Sequence, residues 1–149
     1  MKFLILNGPN LNMLGIREPD IYGKTDYAAL VKLTEDKCLS LGIECQIYQS
    51  NHEGDLVDKI QEAYFSGTDG IIINPGAYTH TSIALLDAVK AVNIPTVEVH
   101  ISNLDDRESY RQISYIREAS VKTISGLGID GYTVAIDFLY NMLGGKNES

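Results

Sequence analysis

The chain has no tryptophan, only three phenylalanines and only two cysteines. Two cysteines, Cys38 and Cys45, do not make a disulfide framework or a thiolate zinc site, and a reduced, cytoplasmic protein is the simplest expectation. No apolar run approaches the ~18 residues that a membrane span needs. The opening "MKFLIL" imitates a secretory leader, but its apolar run is only Phe3 to Leu6 and polar "NGPN" follows at once, so it reads as a first strand. Positive charge is scarce as well. Twelve Lys and Arg against 20 Asp and Glu leave a net charge of −8, a poor balance for binding nucleic acid or anionic lipid. Familiar motifs are also missing. There is no G-x-x-x-x-G-K-[ST], no G-x-G-x-x-G after the first strand, no G-x-S-x-G elbow and no His/Cys/carboxylate group with metal spacing.

What is present is an alternation of short apolar runs with amphipathic stretches over 149 residues, the length of one domain. Residues 1–143 read as a single catalytic domain, and "GGKNES" at 144–149 as a loose tail. Strands are expected at Lys2–Leu6, Glu44–Tyr48, Gly70–Asn74, in "PTVEVHIS" and at Val121–Ile124. "GIIIN" is apolar throughout, as expected of a strand covered on both faces. Helical spacing links Tyr27, Leu30, Val31, Cys38 and Leu41, with Thr25 and Asp26 suited to the start and Gly42 to the end. Further helices are expected around Leu56, Ile60 and Ala63, over Thr81–Val92 and over Tyr132–Leu143. Such alternation implies an α/β fold, a parallel sheet between two helical layers. A flavodoxin-like three-layer sandwich with a five-stranded sheet is the expected topology. Ligands of such sheets bind beyond the carboxyl ends of the strands, near the switch in strand order. Polar residues collect there: Asn7, Asn10 and Asn12; then Asn74, Tyr78 and His80; then His100, Ser102 and Asn103, with Arg107 and Arg111 shortly after.

Three of these stretches suggest chemistry. In "GIREPDIYG", Arg17 and Tyr22 share one segment between Gly15 and Gly23. A phenol with a pKa of ~10 is a poor base at neutral pH, but a nearby guanidinium favours the phenolate and cannot itself lose a proton. The plain alternative is that Tyr22 packs and Arg17 is solvated. In "VEVH", Glu98 and His100 share a strand face, so Glu98 can orient the imidazole and favour its charged form, making a general acid. The same pair could simply satisfy two buried polar groups. In "NPGAYTHTS", Thr79, Thr81 or Ser82 can cap a helix whose start offers free N–H groups, beside Asn74 and His80, which could bind hydroxyls or a carboxylate. His80 could equally be a surface histidine. Arg107 and Arg111, four apart, suit an anionic substrate if they share a helical turn, and a solvated charge cluster with Asp105, Asp106 and Glu108 if not. His52 and mid-helix Asp87 carry no role on spacing alone. Proton abstraction by a phenolate with protonation of a leaving hydroxyl by His100 amounts to an elimination of water, with no cofactor and no metal. Two other classes remain: a flavin- or nucleotide-binding module in which "NGPN" cradles a phosphate, and a non-catalytic interaction domain.

The blocks "LILNGPNLNMLGIREPDIYG", "NHEGDLVDKI", "IIINPGAYTHTSIALLDA", "VEVHISNLDDRESYR" and "SGLGIDGY" together resemble the type II 3-dehydroquinate dehydratases across nearly the whole chain. The resemblance implies a flavodoxin-like subunit that converts 3-dehydroquinate to 3-dehydroshikimate in the shikimate pathway, without metal or imine. It implies that Tyr22 removes the proton beside the ketone and that Arg17 keeps Tyr22 ionised. Asn12 would stabilise the enolate by way of a water. His100, oriented by Glu98, would protonate the departing hydroxyl. Asn74, His80, Ile101, Ser102 and Arg111 would bind the substrate, and Asp87 would reach in from a neighbouring subunit of a dodecamer built from trimers. The sequence departs from the family pattern at "QISYIREAS", where "SP" is usual in place of Arg117–Glu118, and at Tyr110, where phenylalanine is frequent. No role is implied for Arg117.

Overall fold

The computed structural model describes residues 1–16 and 25–145. Five parallel strands, β1 (Lys2–Asn7), β2 (Glu44–Gln49), β3 (Gly70–Asn74), β4 (Thr96–His100) and β5 (Lys122–Ser125), lie in the order β2-β1-β3-β4-β5. This is the expected flavodoxin-like sheet, with its switch in direction of winding between β1 and β3.

Strand alternation sends neighbouring residues to opposite faces, and the two faces carry separate cores. Phe3 and Ile5 of β1, Ile72 of β3, and Val97 and Val99 of β4 face helices α1 (Tyr27–Ser40) and α4 (Asp130–Met142). Leu4 and Leu6, with Ile71 and Ile73, face α2 (Glu53–Phe65) and α3 (Ile83–Val92). Each such Leu or Ile removed from water contributes about 1.5–3 kcal/mol, so the register of these strands is firmly held. Thr96, Glu98 and His100 are the β4 residues on the α2–α3 face, and all three are buried.

Local chemistry sets the helix ends. Asp26 caps α1, its Oδ1 accepting from Ala29 N at 2.9 Å. Ser82 caps α3 by accepting from Leu85 N at 3.0 Å, which decides among the three hydroxyls and moves the helix start from Thr81 to Ile83. The expected helix start beside His80 is displaced by a 3-10 turn, Gly76–His80. Other ends shift from expectation. Helix α4 begins at Asp130 rather than Tyr132 and ends at Met142 rather than Leu143. Strand β5 runs one residue later than expected, ending at Ser125. The first strand extends one residue further than expected, to Asn7. Among the described residues, no helix is long and apolar enough to cross a membrane. Of the tail, 146–149 lie outside the described residues.

At the switch point the loops after β1 and β3 touch. A side chain at Gly8 would meet Pro75 O at 2.3 Å, so only glycine lets the two chains cross. Gly8 N donates to Asn74 O at 2.8 Å, Asn10 N to Asn51 Oδ1 at 3.0 Å, and Leu11 N to Gly8 O at 3.4 Å. The N–H groups that a phosphate cradle would need in "NGPN" are thus engaged within the chain.

Candidate active site

A cleft of about 160 Å³ opens at the carboxyl ends of β1, β3 and β4. Each strand end contributes to its wall: Pro9 and Asn10 after β1, Asn74 and His80 around the turn after β3, and His100, Ile101 and Ser102 at the end of β4. Arg107 and Arg111 close the far side. These two arginines do not share one helical turn, as the spacing had suggested. Arg107 ends one short 3-10 turn and Arg111 lies in the next. Glu108 between them joins them instead, its Oε2 lying 3.0 Å from Arg111 Nε and 3.7 Å from Arg107 Nε. Its own backbone N–H and the two guanidinium groups hold Glu108 below the usual carboxylate range. The Arg111 Nε contact with Glu108 lacks hydrogen-bond geometry, so this buried donor has no hydrogen-bond partner among the described residues. The Arg111 guanidinium stacks over the exposed Tyr110 ring at 5.3 Å.

His100 and Glu98 are paired as the strand spacing implied. His100 Nε2 lies 2.5 Å from Glu98 Oε2, and Glu98 is fully buried. With Nε2 engaged, Nδ1 is the ring nitrogen left for a ligand. Four donors among the described residues surround the carboxylate. Oε2 also accepts from Ser114 Oγ at 2.6 Å, while Oε1 accepts from Thr123 Oγ1 at 3.0 Å and from Arg117 Nε at 3.4 Å. Burial pushes the Glu98 pKa up; the hydrogen bond and charge of His100, then Ser114 and Thr123, outweigh it and bring it down to about 2. Glu98 is therefore a carboxylate at any working pH.

His80 is held differently. Its Nδ1 lies 2.7 Å from the carbonyl oxygen of Ile113, an acceptor, which places the proton on Nδ1 and leaves Nε2 as an acceptor toward the cleft. Asn74 is fixed from below. Its Nδ2 donates to Tyr132 Oη at 3.1 Å, its Oδ1 accepts from Gly76 N at 3.1 Å, and Tyr132 Oη in turn donates to Asn7 Oδ1 at 2.6 Å. Burial raises the pKa of Tyr132, so it serves as a neutral hydroxyl. Asn7, which the strand-end pattern grouped with cleft residues, is buried in this network.

Of the expected site residues, Asn74, His80, His100, Ile101, Ser102 and Arg111 converge on the cleft, and Glu98 stands behind His100. Asn12 is exposed, its Oδ1 accepting from Gln49 Nε2 at 3.3 Å, and it does not line the cleft. Asp87 lies on the exposed face of α3, away from its own chain's cleft. Arg17 and Tyr22 lie outside the described residues. The described residues that bracket them stand beside the site: Leu14 lines the cleft, and Gly15, at φ +86, passes so close to Thr25 that a Cβ would meet its carbonyl oxygen at 2.7 Å. Arg107, which the sequence offered with Arg111 as a partner for an anionic substrate, lines the cleft and also donates to Ser102 Oγ at 3.1 Å. Ser114 and Thr123 were missed altogether. Thr123 could have been found from strand register, since it pairs with Glu98 across β4 and β5. Ser114 had no signal, because an irregular segment carries it there.

Comparison with known proteins gives a consistent result. The family model described as dehydroquinase class II matches residues 1–140. The chain is 54% identical over 142 residues to the 3-dehydroquinate dehydratase of Caldicellulosiruptor bescii, covering 95% of this chain and 98% of that protein. It is 55% identical over 142 residues to the one from Corynebacterium glutamicum, covering 95% and 97%. The type II dehydroquinase of Butyrivibrio crossotus superposes with a TM-score of 0.92 at 56% identity, over 93% of this chain and 97% of that one. The type II dehydroquinase of Propionibacterium acnes does so with 0.89 at 38%, over 94% and 96%.

Proposed function

We propose a mechanism for a chain that belongs to the class II dehydroquinase family. Membership makes it a hydro-lyase, a 3-dehydroquinate dehydratase that removes water from its substrate in the shikimate pathway. The order of events and the residues that carry them are our reading.

The cleft binds the substrate first. Arg111 and Arg107, both lining the cleft, meet the carboxylate, in keeping with the preference of guanidinium groups for planar anions. His80 Nε2, the Asn74 amide and the Ile101–Ser102 segment take the hydroxyls. Tyr22, ionised beside Arg17, removes the proton next to the ketone, and the electron pair moves onto the carbonyl oxygen as an enolate. Asn12, which does not itself line the cleft among the described residues, reaches that oxygen through a water. The enolate then re-forms the ketone as the carbon–oxygen bond to the leaving hydroxyl breaks, and the proton from His100 completes a molecule of water. Tyr22 is left as a phenol and His100 neutral, so one proton passed between them restores the starting state. No lysine amine and no metal takes part. Asp87 serves the neighbouring subunit's cleft in a dodecamer of trimers. Its exposure beside Ala84 and Ala91, also exposed, leaves a small-residue face that another surface can approach.

The observation that carries this reading is the buried, four-donor Glu98 carboxylate in contact with His100 at the cleft wall. The test is direct. Added 3-dehydroquinate should generate the ultraviolet absorbance of a conjugated enone. Tyr22→Phe should cut that rate by ~10²–10⁴-fold, the usual scale for a general base, with circular dichroism and particle size unchanged. A variant within a few-fold of wild type would remove Tyr22 from the mechanism.

A further inference from the structure

Two of the four donors on Glu98 can carry charge. His100 approaches Oε2, and Arg117, from the 3-10 turn Ile116–Ala119, approaches Oε1 at 3.4 Å. Ser114 and Thr123 are neutral hydroxyls. One carboxylate thus lies between an imidazole and a guanidinium. Arg117 is permanently charged, and among the described residues Glu98 is the one carboxylate within ion-pair distance of it. The acidic residue next to it in sequence, Glu118, is turned to Lys90 of α3 at 2.7 Å. Arg117 does not line the cleft, so it acts on the site only through Glu98 and through space.

We propose that Arg117 is a positioning residue for the acid: it shares Glu98 with His100, and so sets the pH range in which His100 holds its proton. The proposal deepens the mechanism above, on which its catalytic consequence rests. The physical reasoning has two parts. A second cation on Oε1 fixes the orientation of a carboxylate that His100, Ser114 and Thr123 already hold ionised. The same cation opposes the positive imidazolium on the other oxygen. A carboxylate in contact with histidine, unopposed, over-stabilises the imidazolium, and an acid that grips its proton too firmly donates slowly. An acid matched to the working pH is the better catalyst. Other charged or titratable groups face the same cleft. Arg107 and Arg111 line it with Glu108 between them, and His80 faces in from the turn after β3. Strand β5 sets hydroxyls rather than charges there, Thr123 beside Glu98 and Ser125 across from His100. Arg17 and Tyr22, which the mechanism brings to the cleft, lie outside the described residues. Arg117 is 48% exposed, so its influence should also weaken with salt.

The experiment compares the full-length wild type with Arg117→Ala and Arg117→Lys. Nitrogen NMR follows the titration of His100, one of three histidines, and the pH profile of kcat/KM is measured on 3-dehydroquinate. In Arg117→Ala the His100 midpoint should rise by roughly half a unit to one unit at low ionic strength, and the alkaline limb of the profile should move up with it. Arg117→Lys retains the charge and should stay near wild type. In 1 M salt the difference between Ala and wild type should shrink by more than half, because the screening length falls to about 3 Å. An unmoved His100 midpoint in Arg117→Ala overturns the proposal. So does an equal shift in Ala and Lys, which would mean that packing rather than charge is responsible. The NMR titration needs no reaction. If the midpoint moves and the kinetic limb does not, the coupling stands and the assignment of His100 as the acid fails.

Discussion

Replacing Glu98 with glutamine keeps the shape and removes the charge, and its consequences can be worked from the contacts. The carboxylate accepts from four donors, two on each oxygen. An amide accepts on one side only. Its NH₂ group must face either His100 and Ser114 or Thr123 and Arg117. Hydroxyls can turn to accept, but a guanidinium cannot, and neither can an imidazolium. The folded pKa of Glu98 is about 2 against 4.5 for the free group. A shift of that size corresponds to roughly 3 kcal/mol at neutral pH, at about 1.4 kcal/mol per unit. Because the folded value is depressed, this stability is present above pH 4.5 and is lost as pH falls toward 2. Urea unfolding at pH 7 should therefore show Glu98→Gln less stable than wild type by a few kcal/mol, and the gap should fall to less than half by pH 3. In the enone assay, kcat should drop by about 10²-fold, the scale on which general acids act, with KM within a few-fold because Glu98 does not line the cleft. The alkaline limb of kcat should move to lower pH, since the imidazolium has lost its partner. A stability gap independent of pH, or a kcat within a few-fold of wild type with an unmoved limb, would refute the reasoning.

Tyr132→Phe removes the hydroxyl shared by Asn7 and Asn74. Two buried amides left short of a partner should cost about 1–3 kcal/mol in urea unfolding, and a loosened Asn74 should raise KM more than it lowers kcat; unchanged stability and KM would show the network to be dispensable. Borohydride added with substrate should leave all eight lysines unmodified by mass spectrometry, and an adduct on any of them would replace the enolate route with an imine. Asp87→Ala and Tyr22→Phe chains, each nearly inactive alone, should regain activity when co-assembled, because some clefts then pair an intact Tyr22 with a neighbour's intact Asp87. A mixture verified to have exchanged subunits yet still inactive would confine Asp87 to its own chain or to no role.

Much of the fold was legible because its signals are local. The apolar run before Asn74 in "GIIIN" reads as a strand buried on both faces, and it is. Asp26 and Ser82 are capping residues whose side chains reach only three residues along the chain, so spacing alone exposes them. The Glu98–His100 pairing was legible for the same reason: alternation along one strand puts both on one face. The errors came where local preference is weak. Thr79, Thr81 and Ser82 are chemically alike as caps, and the 3-10 turn at Gly76–His80 chose among them. A spacing of four between Arg107 and Arg111 would have meant a shared helical face, but the segment breaks into two short turns, and the arginines meet through Glu108 instead.

The amino-acid sequence by itself determined the layered α/β architecture, the strand ends at which the site would gather, and the family, because periodicity, caps and contiguous motifs are properties of neighbours in the chain. Strand alternation already put His100 beside Glu98, but only the tertiary structure decided what else touches it. The other donors come from the segment before the last 3-10 turn, from that turn and from β5, and lie 16, 19 and 25 residues from it in sequence. No periodicity links positions so spaced. They meet because a buried carboxylate must have every lone pair satisfied, and only the packed sheet and its covering turn bring four donors to one point. The same is true of Tyr132, which reaches Asn7 from 125 residues away: a phenol on the last helix becomes the support of a cleft residue once α4 packs across the sheet.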